Sequence, residues 1–121
     1  MITFQEYQRR AAATAVYPHV GLNPDSAETI AGCDYIYPTL GLCGEAGEVA
    51  EKVKKLIRDK NGAVNDESRM AIAKELGDVL WYVGALCTEI GVELDEVASI
   101  NIDKLFSRKE RGVIGGSGDE R

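Results

Sequence analysis

The chain has 121 residues and 13.1 kDa, with 45% hydrophobic, 28% charged and 7% aromatic residues. Those values fit one globular domain, are too short for two, and exclude a fibrous, collagen-like or wholly disordered chain. Fourteen Lys and Arg against 20 Asp and Glu give a net charge of -6 and a pI near 4.8. Such a surface repels phosphate backbones, so no nucleic-acid partner is expected. Any handling of phosphates requires a metal or a local basic cluster.

The three cysteines, Cys33, Cys43 and Cys87, are odd in number and form no C-x-x-C pair. They are expected to be reduced and mostly buried, in a cytoplasmic protein. The opening MITFQEYQRR has no signal-like apolar core. The longest apolar run, Val79 to Cys87, falls far short of the roughly 20 residues of a membrane span, so no membrane partner is expected.

Helical periodicity dominates the chain. Thr3 and Glu6 form a capping-box pattern opening a first helix to about Ala15. Pro18, Gly21, Pro24 and Gly32 then mark a loop from Tyr17 to Tyr35, with one short helical turn near Ser26. Pro38 suits the first turn of a second helix, with Tyr37 extended before it, and Asn61-Gly62 is its stop. A third helix is expected from Asp66 or Glu67 to Gly91. Its apolar stripe is Ile72, Leu76, Val79, Leu80, Val83, Leu86, Cys87 and Ile90. The fourth runs from about Leu94 to Glu110. The Gly-rich tail from 112 to 121 is expected to be flexible unless a ligand or neighbour orders it, leaving a single domain over 1–111. The fold class is all-α, with four main helices.

Two windows depart from an ordinary amphipathic helix. In GLCGEAGEVAEKVKK, Glu45 and Glu48 are spaced to leave one helical face, and Gly41, Gly44 and Gly47 recur inside the helix. Each interior Gly costs roughly 1 kcal/mol against Ala, so the repetition points to close approach of a backbone or ligand. In KELGDVLWY, Glu75 and Asp78 repeat the spacing around Gly77. If the two helices pack antiparallel, four carboxylates converge, and they repel unless cations sit among them. All-oxygen ligation without His suits a hard cation, Mg²⁺ or Mn²⁺. The competing reading is a solvated face, with Glu48 pairing Lys52 and Glu51 pairing Lys55. Two acidic pairs, each with an inserted Gly and each bordering an apolar stripe, favour a site.

The same pattern, E-x-x-E and later E-x-x-D, resembles the all-α nucleoside triphosphate pyrophosphohydrolases of the MazG type. The resemblance extends over YPTLGLCGEAGEVAEKVKK, KELGDVLWYVGALC and VASINIDKLFSRKERG. It implies that Glu45, Glu48, Glu75 and Asp78 bind Mg²⁺ and that Asn101 and Lys104 contact substrate phosphate or sugar. It also implies cleavage between the α- and β-phosphates, giving a nucleoside monophosphate and pyrophosphate. The family assembles as homodimers or dimers of dimers, with helices from two chains around each site and the bundle completed by dimerisation. Narrower members act on dGTP, dCTP, dUTP or phosphoribosyl-ATP, and a non-catalytic helical interaction module is the reading from another class.

Such chemistry is mostly positioning and charge neutralisation, with one carboxylate, Glu45 or Glu48, taking a proton from water. Arg108 shares a stripe with Asn101 and Lys104 and is a further candidate for triphosphate charge; a solvated basic helix end is the plainer reading. Tyr82, one turn after Asp78, is placed at the site's edge, and Trp81 in the core. Tyr17, Tyr35 and Tyr37 are candidates for base stacking or for packing. His19 is the only histidine, which excludes a His-rich zinc site. The tail's glycines lack the strand and Gly-Lys-Ser/Thr ending of a phosphate loop.

Overall fold

The computed structural model describes residues 1–17 and 34–121. Helix α1 spans Phe4–Ala12, α2 Ile36–Lys60, α3 Asp66–Ile90 and α4 Leu94–Glu110, and there is no strand among the described residues. The all-α class is therefore observed. The loop turn near Ser26, His19 and Cys33 lie outside the described residues.

Each helix end has a chemical cause. Thr3 is extended at the head of α1 and its Oγ1 accepts from the Glu6 backbone N–H at 3.2 Å. The reciprocal half of the expected capping box is absent, because the Glu6 carboxylate accepts from Arg9 at 2.7 and 3.0 Å instead. Helix α1 stops at Ala12 rather than Ala15. The Thr14 hydroxyl donates to the Ala11 carbonyl at 2.8 Å, while the Thr14 amide closes a tighter turn onto the same oxygen.

Helix α2 begins at Ile36, so Tyr37 is helical and not extended as the residue before Pro38 was expected to be. Two contacts offset that preference. The Tyr37 ring stacks on Tyr17 at 5.4 Å and 11°, and Pro38 is fully buried in the first turn, where no amide donor is missed. At the other end Asn61 and Gly62 are left-handed, and the Gly62 amide donates back to Leu56 at 3.0 Å. Asn65 and Ser68 then cap α3 reciprocally, at 2.8 and 3.0 Å.

Helices α2 and α3 form an antiparallel hairpin, since Gly41 meets Tyr82 while Lys52 meets Glu75. Helix α1 lies on α3, and α4 packs on α1 and α3 but not on α2. Gln8 joins the three elements. Its buried amide donates to the Val92 carbonyl at 2.9 Å and to Thr88 Oγ1 at 3.3 Å, and its carbonyl accepts from the Leu94 amide at 2.7 Å. Because Glu93 offers α4 no side-chain cap, Gln8 satisfies a helix-end donor from outside the helix.

Among the described residues Ala11, Pro38, Ala85, Cys87 and Leu94 are buried, whereas Leu76 of the α3 stripe remains 52% exposed and Phe106 of α4 57% exposed. Cys43 is exposed, correcting the expectation of mostly buried thiols, while burial pushes the Cys87 thiol up from its usual range. No helix among the described residues is long and apolar enough to cross a membrane.

Candidate active site

The α2–α3 seam brings three of the four expected carboxylates together. One oxygen each from Glu45, Glu75 and Asp78 lies within 4.8 Å of the others. Glu45 and Glu75 are half-buried and Asp78 is exposed. Glu48, one turn along α2, is exposed and stands outside this group. Spacing of three leaves both glutamates on one side of α2, yet only Glu45 joins the group.

Lys52 is the cation at this cluster. Its Nζ lies 3.2 Å from Glu75, so it crosses to α3 in place of the expected pair with Glu48. Glu51, by contrast, forms the expected pair with Lys55 at 3.5 Å and another with Lys54 at 2.5 Å. Among the described residues, one ammonium beside three carboxylates leaves negative charge over, which a bound dication would offset. The donor set fits a hard ion, being all carboxylate oxygen.

A cavity of about 380 Å³ opens beside the cluster, lined by Glu45, Asp78, Trp81 and Tyr82. Trp81 thus stands at the cavity and is only half-buried, correcting its expected place in the core. It donates from Nε1 to Thr14 Oγ1 at 2.9 Å and meets Tyr82 edge-to-face at 4.9 Å. Tyr17 abuts Trp81 at 6.2 Å and donates its hydroxyl to Glu89. Burial, then that hydrogen bond, pushes the Tyr17 hydroxyl well above the usual tyrosine range. The Tyr82 hydroxyl is also pushed up, by burial first, with the negative charge of the Glu45 and Asp78 carboxylates adding to it. It stays protonated and able to donate at neutral pH. Tyr35 is exposed at the start of α2.

Of the glycines in α2, Gly41 alone is pressed. An ideal Cβ there would lie 2.2 Å from the Tyr82 ring, whereas Gly44, Gly47 and Gly77 face open space. Close approach within the chain therefore explains Gly41 and not the other three.

The α4 candidates stand apart from the cluster. Asn101 is exposed. Lys104 Nζ lies 3.4 Å from Asp119, and Arg108, only 5% exposed, donates to the Asp119 carbonyl at 3.0 Å and its carboxylate at 3.3 Å. Arg111 donates to the Arg121 carbonyl at 2.8 Å. The basic stripe is thus turned to the chain's own tail, and the two cations hold the Asp119 carboxyl below its usual range, Arg108 first. Within one chain, α4 does not bring these side chains onto α2.

Residues 38–113 match the MazG nucleotide pyrophosphohydrolase domain, a stretch that contains the three clustered carboxylates and Asn101, Lys104 and Arg108. The chain is also 50% identical over 115 residues to the Gene 37 protein of Mycobacterium phage L5, covering 95% of this chain and 96% of that protein. No solved structure matches it. With four helices, no strand among the described residues and a match over most of its length, the chain belongs to the MazG nucleotide pyrophosphohydrolase family.

Proposed function

We propose that the chain hydrolyses nucleoside or deoxynucleoside triphosphates between the α- and β-phosphates, releasing a nucleoside monophosphate and pyrophosphate with Mg²⁺ or Mn²⁺ as cofactor. The observation that carries this reading is the convergence of Glu45, Glu75 and Asp78 beside an aromatic-walled cavity in a chain of this family. These three residues would hold the dication, which when bound offsets phosphate charge and acidifies a coordinated water. Lys52 holds Glu75 in place from across the seam and adds positive charge near the phosphates. Trp81 and Tyr82 offer planar surface to the nucleoside.

Glu45 or Glu48 takes the proton of the attacking water. Glu48, free of the cluster, separates the two roles experimentally. As a base, Glu48→Gln loses kcat and keeps Mn²⁺ affinity; as a ligand, it loses both.

Asn101 and Lys104 would reach phosphate or sugar across an interface with a second copy, because α4 does not pack on α2 of its own chain, and Arg108 would join them only on leaving Asp119. Exposed Leu76, Ile100 and Phe106 supply apolar surface for a homodimer or a dimer of dimers. The working compartment is the cytoplasm, that of a host cell where the gene is carried by a phage.

Pyrophosphate release from a panel of ribo- and deoxynucleoside triphosphates tests the proposal. Turnover that needs Mg²⁺ and disappears in Glu45→Ala is expected. A strong preference for one base would mark a narrow enzyme, dGTP, dCTP or dUTP, and not a general cleaner of the nucleotide pool. No release from any triphosphate would refute the activity.

A further inference from the structure

We infer that Gly41 is a positioning residue for the site: its bare Cα is the seat that holds the Tyr82 ring as the aromatic wall of the cavity. The inference rests on the reading of that cavity as the nucleotide site. Helix α2 approaches α3 in successive rungs, and Gly41 lies one turn before Glu45 while Tyr82 lies one turn after Asp78. The Gly41–Tyr82 contact is therefore the rung beside the acidic one.

The contact is too close for any side chain. A Cβ on Gly41 would stand 2.2 Å from Tyr82 Cε1, 2.4 Å from Cζ and 2.6 Å from Cδ1. The obstacle is a rigid ring, so the ring itself must turn. On one flank it meets Trp81 edge-to-face at 4.9 Å, and on the other the cavity with Glu45 and Asp78. A turned ring either fills the space meant for the nucleoside or leaves it open to solvent. In both cases the carboxylates remain in place, so the metal ligands are untouched while the nucleoside's wall is lost. Gly44, in the same helix with open space around it, supplies the control.

The test compares Gly41→Ala, Tyr82→Ala, the double variant and Gly44→Ala for KM, kcat, Mn²⁺ affinity by calorimetry, melting temperature and tryptophan emission. Trp81 is the only tryptophan, so its emission reports the neighbouring ring directly. Gly41→Ala is expected to raise KM about tenfold, the size of one lost stacking surface, while Mn²⁺ affinity is unchanged and Trp81 emission shifts. In the Tyr82→Ala background the same substitution has no further effect, because the obstacle has gone. Gly44→Ala keeps the parental KM, kcat, Mn²⁺ affinity and emission, and melts at or above the parental temperature.

A parental KM and emission in Gly41→Ala would overturn the inference, as would effects of Gly41→Ala and Tyr82→Ala that multiply. A fall in melting temperature with unchanged KM would reduce Gly41 to a packing role and also overturn it. If the parent protein released no pyrophosphate, the proposed activity would fail by itself. The emission shift and its dependence on Tyr82 would still decide the seating.

Discussion

Two polar clusters on α3 are built on opposite principles. Near its C-terminal end, the buried Gln8 amide spends every hydrogen bond inside the chain, on Thr88, Val92 and Leu94. At the middle of the helix, Glu45, Glu75 and Asp78 bring like charges together with Lys52 as their cation. The first arrangement is complete, and its physical consequence is to fix where α4 starts. The second is incomplete by charge, and a ligand of opposite sign would stabilise it. A buried polar group with all its partners reads as architecture, whereas converging like charges at a cavity read as a site.

Removing carboxylates should separate the two most sharply. Glu75→Ala and Asp78→Ala are each predicted to cut pyrophosphate release by about 10²-fold or more, several kcal/mol of barrier, in an assay with saturating Mg²⁺. Melting temperature without divalent ions should hold or rise, since repulsion falls. A variant that kept its turnover would show the cluster to be decorative.

Gln8→Leu should do the reverse. It leaves the Leu94 amide and Val92 carbonyl without partners, at a cost of about 1–3 kcal/mol. A lower urea midpoint at unchanged slope is expected, with turnover per folded molecule preserved.

Lys52→Met is a smaller test of the acidic cluster. The pair is part-exposed, so its loss should cost under about 1 kcal/mol, and chiefly in the absence of a divalent ion. Stabilisation by Mg²⁺, read from melting curves, should therefore be larger in the variant than in the parent. Equal stabilisation would mean that Lys52 and the ion do not share the same charge.

The smallest effect concerns the thiols. Burial raises the Cys87 thiol, so less thiolate is present at any given pH, and alkylation mapped by mass spectrometry should mark exposed Cys43 before Cys87. Labelling of Cys87 should rise as pH increases. Equal rates at neutral pH would indicate that the α3 face opens readily.

Much of this fold was legible because punctuation and periodicity agree. Asn61-Gly62 and Gly91 end their helices by left-handed geometry, and Leu94 and Glu110 bound α4 where expected. The acidic residues of α3 were legible from spacing with an inserted Gly. Illegible features all depend on which neighbour wins. Lys52 has a local partner in Glu48 by helical spacing, yet it crosses the seam to Glu75. Tyr37 yields its extended preference to a stack with Tyr17. Trp81 looked like core by size, and its indole N–H finds Thr14 at the cavity edge instead. Gln8 carries no sequence signal at all, because its partners are mostly backbone groups far along the chain. Gly41 was conspicuous as an interior glycine, but only the structure identifies the ring that needs it.

The central claim is that the Glu45–Glu75–Asp78 cluster directs cleavage at the α–β bond of a nucleoside triphosphate. Phosphorus NMR of the products, with and without Mg²⁺ and in the parent and Asp78→Ala proteins, tests it most directly. The account predicts nucleoside monophosphate and pyrophosphate from the parent with Mg²⁺, and no products without the metal or in the variant. Nucleoside diphosphate with inorganic phosphate, or equal turnover in Asp78→Ala, would contradict it.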